Sequence, residues 1–434
     1  LLNAPTGAGK STWLPLHILN AGIISGKIIL LEPRRLAARN VAQRLAELLN
    51  EKPGETVGYR MRAETCVGPS TRLEVVTEGI LTRMLQNDPE LSGIGLVILD
   101  EFHERSLQAD LALALLLDVQ QGLRDDLRLL IMSATLDNER LQQTLPDAPV
   151  ITSEGRAFPV ERRYQPLPAH QRFDEAVAIA TADLLRQESG SLLLFLPGVG
   201  EIQRVQEQLA ARVGSDVILC PLYGALSLSD QRKAILPAPT GQRKVVLATN
   251  IAETSLTIEG IRLVVDSAQE RVASFDPRTG LTKLLTQRIS QASMVQRAGR
   301  AGRLEPGICL HLISAEQDER AAVQSTPEIL QSDLSGLIME LLQWGCPDPA
   351  QLTWLNAPPA VNLAAARALL TQLGALDGER LSSRGQKMAA LGNDPRLAAM
   401  LVSAQGDDEI ARAAKLAPIL EEPPRGATCD LVQA

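Results

Sequence analysis

The sequence predicts an α/β protein: two tandem parallel-sheet domains followed by a helical region. Three observations carry this. Short apolar runs that end in polar residues alternate with helical patterns along the first part of the chain. A polar, proline-bearing segment divides those runs into two series. After about residue 320 the strand signal fades and amphipathic helices take over.

The elements follow in order. "KIILLEP" (27–33), "GLVILDE" (95–101) and "LRLLIMSAT" (127–135) read as buried strands, with a helix over "RRLAARNVAQRLAELL" (34–49). The stretch 151–173 holds three prolines and is expected to link the domains near 150–170. "SLLLFLPG" (191–198), "VILCPLYG" (217–224), "KVVLATN" (244–250) and "IRLVVDS" (261–267) form the second series. Residues 327–345, 360–376 and 380–404 read as helices closed by glycine-containing turns. We divide the chain at 1–155, 156–325, 326–378 and 379–434.

Bulk properties narrow the class. At 434 residues the chain exceeds one ordinary core, and 45% hydrophobic with 22% charged residues describes a soluble globular protein. No apolar run is long enough to span a bilayer, and no signal peptide opens the chain. The five cysteines include no C-x-x-C pair, which argues against zinc or a disulfide scaffold and fits a reducing cytoplasm. A net charge of −8 does not exclude nucleic acid, because local basic surface does the binding. Aromatics at 3% argue against reading bases by stacking. The absent initiator methionine, the short apolar stub before residue 4 and the turn-like tail "EEPPRGATCDLVQA" lead us to expect a fragment of a longer protein.

"APTGAGKST" (4–12) has the spacing of a phosphate-binding loop, although it begins with Ala4. A small side chain suffices there. Within the loop of Pro5, Thr6, Gly7, Ala8 and Gly9, the two glycines let the backbone curl so that its N–H groups face a phosphate. Lys10 is placed for the β- and γ-phosphates, Ser11 for Mg²⁺, and Thr12 leads into a helix whose N-terminus favours an anion. In "VILDEFHER", Asp100 and Glu101 end a buried strand, where open α/β sheets present ligand-facing groups. Asp100 suits Mg²⁺, and Glu101 can orient or deprotonate a water aimed at the γ-phosphate. His103 is a link between phosphate state and the neighbouring domain. "MSAT" offers Ser133 and Thr135 at the next strand's end.

"QRAGRAGR" (296–303) puts Gln296, Arg300 and Arg303 at i, i+4 and i+7, one helix face with an amide and two guanidiniums. Gly299 and Gly302 weaken a helix and imply close approach by another surface. Such arginines can act as fingers that complete a phosphate site in the first domain.

Taken in order, "APTGAGKST", "EPRRLAAR", "TEG", "DEFH", "SAT", "ATNIAETSLTI" and "QRAGRAGR" resemble the motifs of superfamily 2 DEAH-type RNA helicases. "DEFH" followed by "ERSLQADL" is most similar to the family's bacterial HrpB-type branch. The resemblance implies two RecA-like domains, a winged-helix module and the start of a ratchet-like helical bundle. It places Pro33, Arg34, Arg35, Thr77, Glu78 and Gly79 on the nucleic-acid side. Thr249, Asn250 and Thr254 would lie there too, or sense phosphate. "RVASFDPRTGLTKLL" (271–285) resembles the family's strand-parting β-hairpin. Relatives place an aromatic soon after the position of Asp266, where this chain reads "DSAQER"; Gln269 there implies weak nucleotide selectivity.

The activity implied is NTP-dependent 3′-to-5′ RNA helicase, using ATP or any NTP with Mg²⁺ on single-stranded or tailed RNA. A DNA translocase shares every motif. The rival reading is a nucleotide-gated RNA-binding clamp that remodels ribonucleoprotein without processive unwinding. A cytoplasmic monomer with no membrane partner is expected, with a protein activator left open.

Overall fold

The computed structural model describes residues 1–4, 10–134, 138–155, 157–224, 226–254, 256–392 and 394–421. The first sheet contains β1 (Leu2–Asn3), β2 (Lys27–Leu31), β3 (Val57–Met61), β4 (Glu64–Cys66), β5 (Leu73–Val76), β6 (Ile94–Leu99), β7 (Arg128–Ser133) and β8 (Ile151–Thr152). Among the described residues their order is β4-β3-β5-β2-β6-β7-β1-β8. All pairs are parallel except β3–β4. Two-sided burial explains the unbroken apolar runs of β2 and β6. The stub β1 is a true strand, paired to both neighbours through Leu2↔Met132 and Leu2↔Ile151.

The second sheet contains β9 (Val160–Tyr164), β10 (Ser191–Phe195), β11 (Val217–Leu222), β12 (Arg243–Ala248) and β13 (Ile261–Asp266). After it come β14 (Gln269–Asp276) and β15 (Leu281–Arg288), which pair only with each other, as the expected hairpin. The second sheet then closes with β16 (Gly307–His311), in the order β11-β12-β10-β13-β16-β9, parallel throughout. Pro221 is tolerated because β11 is an edge strand.

Two features differ from expectation. The segment around 150–170 is not merely a linker: β8 and β9 are edge strands of the two sheets, and the prolines at 159, 166 and 168 flank β9 without interrupting it. Strands β3, β4 and β5 went unread, since "VGYRM" and "ETC" carry little apolar alternation and owe their place to pairing.

The helix Arg35–Leu48 covers the first sheet through Val41, Ala42 and Leu45, while its Leu36 and Ala37 pack into an apolar cluster of the second sheet with Val246 and Val264. One compact unit holds both sheets (Leu1–Ala273 with Leu284–Pro327); the other holds the hairpin tip Ser274–Lys283 and the chain from Glu328 onward.

The second unit is mainly helical: Ser335–Trp344, Ala360–Gln372, Ser383–Leu391, Pro395–Ser403 and Gly406–Glu421. Within it the hairpin tip is tied by Phe275 N–H to the Gln331 carbonyl at 3.0 Å, and Arg396 pairs with Asp333 at 2.9 Å. A short antiparallel ladder joins β17 (Leu376–Asp377) to β18 (Arg380–Leu381). The division we drew at 378/379 falls in the turn of that ladder. No helix among the described residues is long and apolar enough to cross a membrane.

Candidate nucleotide and phosphate site

Asp100 follows β6, and Glu32 and Pro33 follow the adjacent β2, so their side chains meet at the carboxyl edge of the first sheet. Lys10 Nζ donates to Asp100 Oδ1 at 2.9 Å and to Glu101 Oε1 at 3.2 Å. The Ser11 hydroxyl donates to Asp100 Oδ2 at 2.5 Å. Burial opposes charge on Asp100, but Lys10 and hydrogen bonds from Glu32 and Ser11 hold its carboxyl well below the ordinary range. Burial likewise opposes the Lys10 cation, and Asp100 and Glu101 raise it nonetheless. Ala4 is buried and continues β1 through an N–H bond to the Ser133 carbonyl at 3.0 Å. Thr12 borders the same site. Pro5, Thr6, Gly7, Ala8, Gly9 and Thr135 lie outside the described residues.

Glu101 sits at φ +54°, a left-handed backbone that a non-glycine residue adopts only when its surroundings hold it there. Its Oε2 is buried without a hydrogen bond, 3.5 Å from His103 Nε2. His103 Nδ1 accepts from Ala134 N–H at 3.2 Å, which ties "DEFH" to the "MSAT" strand end. Ser133 is fully buried there.

Glu32 was missed. It is buried beside Asp100, and burial reinforced by Asp100 pushes its carboxyl well above the ordinary value. The available signal was an acid closing the buried run "KIILLEP".

The second sheet contributes the arginines, with one correction. The α-helix Gln291–Gly299 stops before Arg300, and Arg300–Gly302 is a 3-10 turn, so the three residues do not share one continuous α-helical face. The cause is legible at Gly302: a Cβ there would lie 2.5 Å from the Phe158 carbonyl oxygen, so the chain entering β9 approaches closely. Gly299 is the opposite case. It is exposed with nothing within 4 Å of a Cβ, and no surface approaches it.

Arg300 is buried. Its Nε donates to the Ala252 carbonyl at 2.9 Å, while Nη2 finds no partner. Burial and the neighbouring Arg303 cation push its guanidinium down to about 9. Arg303 Nη1 and Gln296 Oε1 are also buried without partners, and burial with the Arg44 cation lowers Arg303. With Glu32 Oε1 and Glu101 Oε2 these make five unsatisfied groups, which is unusual because buried polar atoms are nearly always paired. Arg297, between them in sequence, behaves differently: it donates to Glu253 at 2.8 Å, to Asp266 at 2.9 Å and to the Gln269 carbonyl at 3.2 Å.

A cavity of about 340 Å³ is lined by Lys10, Ser11, Glu101, Thr254 and Arg303 among others. The residues present fit a nucleotide with Mg²⁺: a lysine, a hydroxyl–carboxylate pair, and unpartnered donors of the kind a phosphate satisfies. Gln269 is not among the lining residues; it starts β14 and its carbonyl is taken by Arg297. Arg44, Ile235 and Leu236 also line the cavity, with no aromatic among its described lining residues.

Of the residues expected to face nucleic acid, Arg34, Asn250 and Thr254 come together. Arg34 Nη1 donates to the Asn250 carbonyl at 3.2 Å and Nη2 lies 3.5 Å from Glu104, which accepts from the Thr254 hydroxyl at 3.3 Å. Thr254 is buried and lines the cavity, on its phosphate side. Thr249 precedes the 3-10 turn at Asn250–Ala252. Pro33 is half-buried and Arg35 exposed, 3.8 Å from Glu64. Thr77 caps the helix Glu78–Asn87, Glu78 accepts from the Ser106 hydroxyl, and Gly79 is exposed.

A family model described as DEAD/DEAH box helicase matches residues 1–144, and one described as helicase conserved C-terminal domain matches 175–305. The chain is 84% identical over 431 residues to the ATP-dependent RNA helicase HrpB of Escherichia coli (strain K12), covering 99% of this chain and 53% of that protein. It is 38% identical over 410 residues to an ATP-dependent RNA helicase HrpA homolog of Haemophilus influenzae, covering 92% of this chain and 31% of that one. A crystal structure of the E. coli DEAH/RHA helicase HrpB matches with a TM-score of 0.95 at 84% identity, over 98% of this chain and 55% of that chain. A second, of the E. coli DExH-box NTPase HrpB, matches with a TM-score of 0.90 at 83% identity, over 100% of this chain and 54% of that chain. The chain thus spans about half the length of the HrpB relatives and about a third of the HrpA homolog.

Proposed function

Because this chain belongs to the DEAD/DEAH box helicase family, with two RecA-like parallel-sheet domains, we propose that it is the motor core of an ATP-dependent RNA helicase moving 3′ to 5′. The observation that carries the proposal is one cavity lined by Lys10, Ser11, Glu101 and Arg303, with Asp100 held against Lys10 and buried unpartnered atoms on Glu101, on Arg303 and on Gln296 and Arg300 of the same segment as Arg303. Ser11 and Asp100 would hold Mg²⁺, which neutralises phosphate charge when bound. Lys10 binds the β- and γ-phosphates. Glu101, with a free carboxylate oxygen, orients and deprotonates the attacking water. Gln296, Arg300 and Arg303 stabilise the charge spread over the transferring phosphoryl group. His103 and Ser133 relay phosphate state along the sheet edge.

RNA follows the carboxyl ends of the strands, touching Pro33, Arg34, Arg35, Thr77, Glu78 and Gly79 from the first sheet and Thr249 and Asn250 from the second. Arg34 makes this economical, because it already bridges Asn250 and Glu104. Residues 326–378 and 379–434 act as the winged-helix module and the opening of the bundle, and the hairpin parts the strands.

The test is an unwinding assay on RNA and DNA duplexes with 3′ or 5′ tails. Separation confined to 3′-tailed RNA is expected. Equal activity on 5′ tails would overturn the polarity, equal activity on DNA the substrate class, and RNA-stimulated hydrolysis without separation would favour the clamp.

A further inference from the structure

The cavity lined by Lys10 and Ser11 adjoins a second one. Five of its lining residues (Asn40, Gln43, Arg232, Ile235 and Leu236) also line that second cavity, of about 920 Å³. Lys10, Ser11, Glu101 and Arg303 line only the first. The five shared residues mark where the two cavities adjoin, and a base seated among them would face the second cavity.

The chemistry of the second cavity is mainly apolar. Beyond the shared residues it is walled by Ile218, Cys220, Leu228, Pro237, Ala238 and Pro239, and no acidic side chain is among its described lining residues. Two of its basic heads are already committed. Arg39 donates to Glu64, and Lys244 Nζ donates to the carbonyls of Ala234 at 2.9 Å and Leu236 at 2.5 Å. Burial also lowers the Lys244 ammonium to about 8. Arg232 and Lys233 are exposed and stand at the rim. The space is ample, since an apolar cavity of about 150 Å³ already admits benzene.

We propose that this second cavity is a subsite for the outer edge of the base, so that the chain accepts purine nucleoside triphosphates bearing an apolar aryl group on the exocyclic amine. The proposal rests on the nucleotide reading of the first cavity. Ile235 and Leu236 form the threshold between the two spaces. The aryl group passes them and lies against Leu228, Pro237 and Ala238, with Arg232 able to stack on its face.

The experiment compares hydrolysis of ATP and N6-benzyl-ATP by the wild-type chain and by Ala238→Trp and Ser229→Trp, both of which fill the second cavity only. Wild type should show a KM for N6-benzyl-ATP within about tenfold of that for ATP. Either tryptophan variant should raise the benzyl-nucleotide KM about tenfold or more and leave the ATP value unchanged. A wild-type KM gap above about tenfold, or a variant that shifts both nucleotides equally, overturns the subsite. Should ATP itself not be hydrolysed by wild type, the underlying nucleotide reading fails and takes the subsite with it.

Discussion

The two halves of the proposed site handle charge in opposite ways. At the ends of β2 and β6, Lys10 and Ser11 both donate to Asp100, which also shares a hydrogen bond with Glu32, so the cation is matched by carboxylates even though Glu32 Oε1 keeps no partner. On the turn after the helix Gln291–Gly299, Arg300 is buried and Arg303 half-buried, each with a buried guanidinium nitrogen that finds no partner. Arg297 sharpens the contrast. It is three residues from Arg300 and fully buried, yet it is held by Glu253, Asp266 and the Gln269 carbonyl, with its guanidinium 4.8 Å from the centre of the Phe195 ring. Burial opposes the Arg297 cation but Asp266 and Glu253 raise it, whereas burial and Arg303 lower Arg300. One arginine maintains the fold. The other is kept at a cost to stability, the arrangement expected of a group whose partner arrives with the ligand.

The most severe test of this contrast is Arg300→Ala. RNA-stimulated hydrolysis should fall by about 10³-fold or more, the range for an arginine finger. Binding of RNA without nucleotide should keep both its affinity and its salt dependence. If Arg300 instead contacts RNA phosphate, a salt titration will show the slope shallower by about one contact.

On the other half, Glu101→Gln should lower hydrolysis by about 10²- to 10⁴-fold while nucleotide still binds, because the Asp100 carboxylate is untouched. Lys10→Ala should instead weaken nucleotide affinity. Single-turnover rates set beside equilibrium titrations separate the two, and a wild-type rate in Glu101→Gln would refute the assignment.

Stability should divide the halves by sign. Asp100→Asn breaks a buried pair and leaves Lys10 with only one of its two carboxylate partners, Glu101, at a cost of up to about 3–5 kcal/mol in a denaturant titration. Arg300→Met removes an unsatisfied buried group and should stabilise the ligand-free chain by about 1–3 kcal/mol. A destabilised Arg300→Met protein would mean that its bond to the Ala252 carbonyl outweighs the missing partners. The pH dependence has a definite direction. Asp100 is depressed below its ordinary value of 3.8, so its stabilisation is complete above that pH and drains as pH falls through the lower folded value. Asp100→Asn should flatten this acid limb.

The smallest effect concerns the base. With Ile235 and Leu236 rather than an aromatic at the cavity wall, turnover of ATP, GTP, CTP and UTP should agree within about one order of magnitude, or ~1.4 kcal/mol. A hundredfold preference for ATP would reveal a base-edge contact.

Much of this was legible in the linear chain because its signals are local. Unbroken apolar runs marked β2, β6, β7 and most strands of the second sheet, since strands buried on both faces need no alternation. Residue spacing alone placed Lys10 and Ser11 on a phosphate-binding loop and Asp100 and Glu101 at a strand end. Tertiary structure decided what depends on distant partners. The strands β3, β4 and β9 exist because neighbours offer ladders, as in Arg162↔Cys309 across the second sheet. The α-helix yields to a 3-10 turn at Arg300, beside a glycine that Phe158 crowds from far back in the chain. The carbonyl of Gln269 is taken by Arg297 and the residue does not line the cavity, whereas Ile235 does. Which arginine is paired and which is left open could not be read from "QRAGRAGR", where all three look alike. Pairing and desolvation are set by groups such as Asp266 and Glu253, 31 and 44 residues from Arg297 and brought beside it only by the fold.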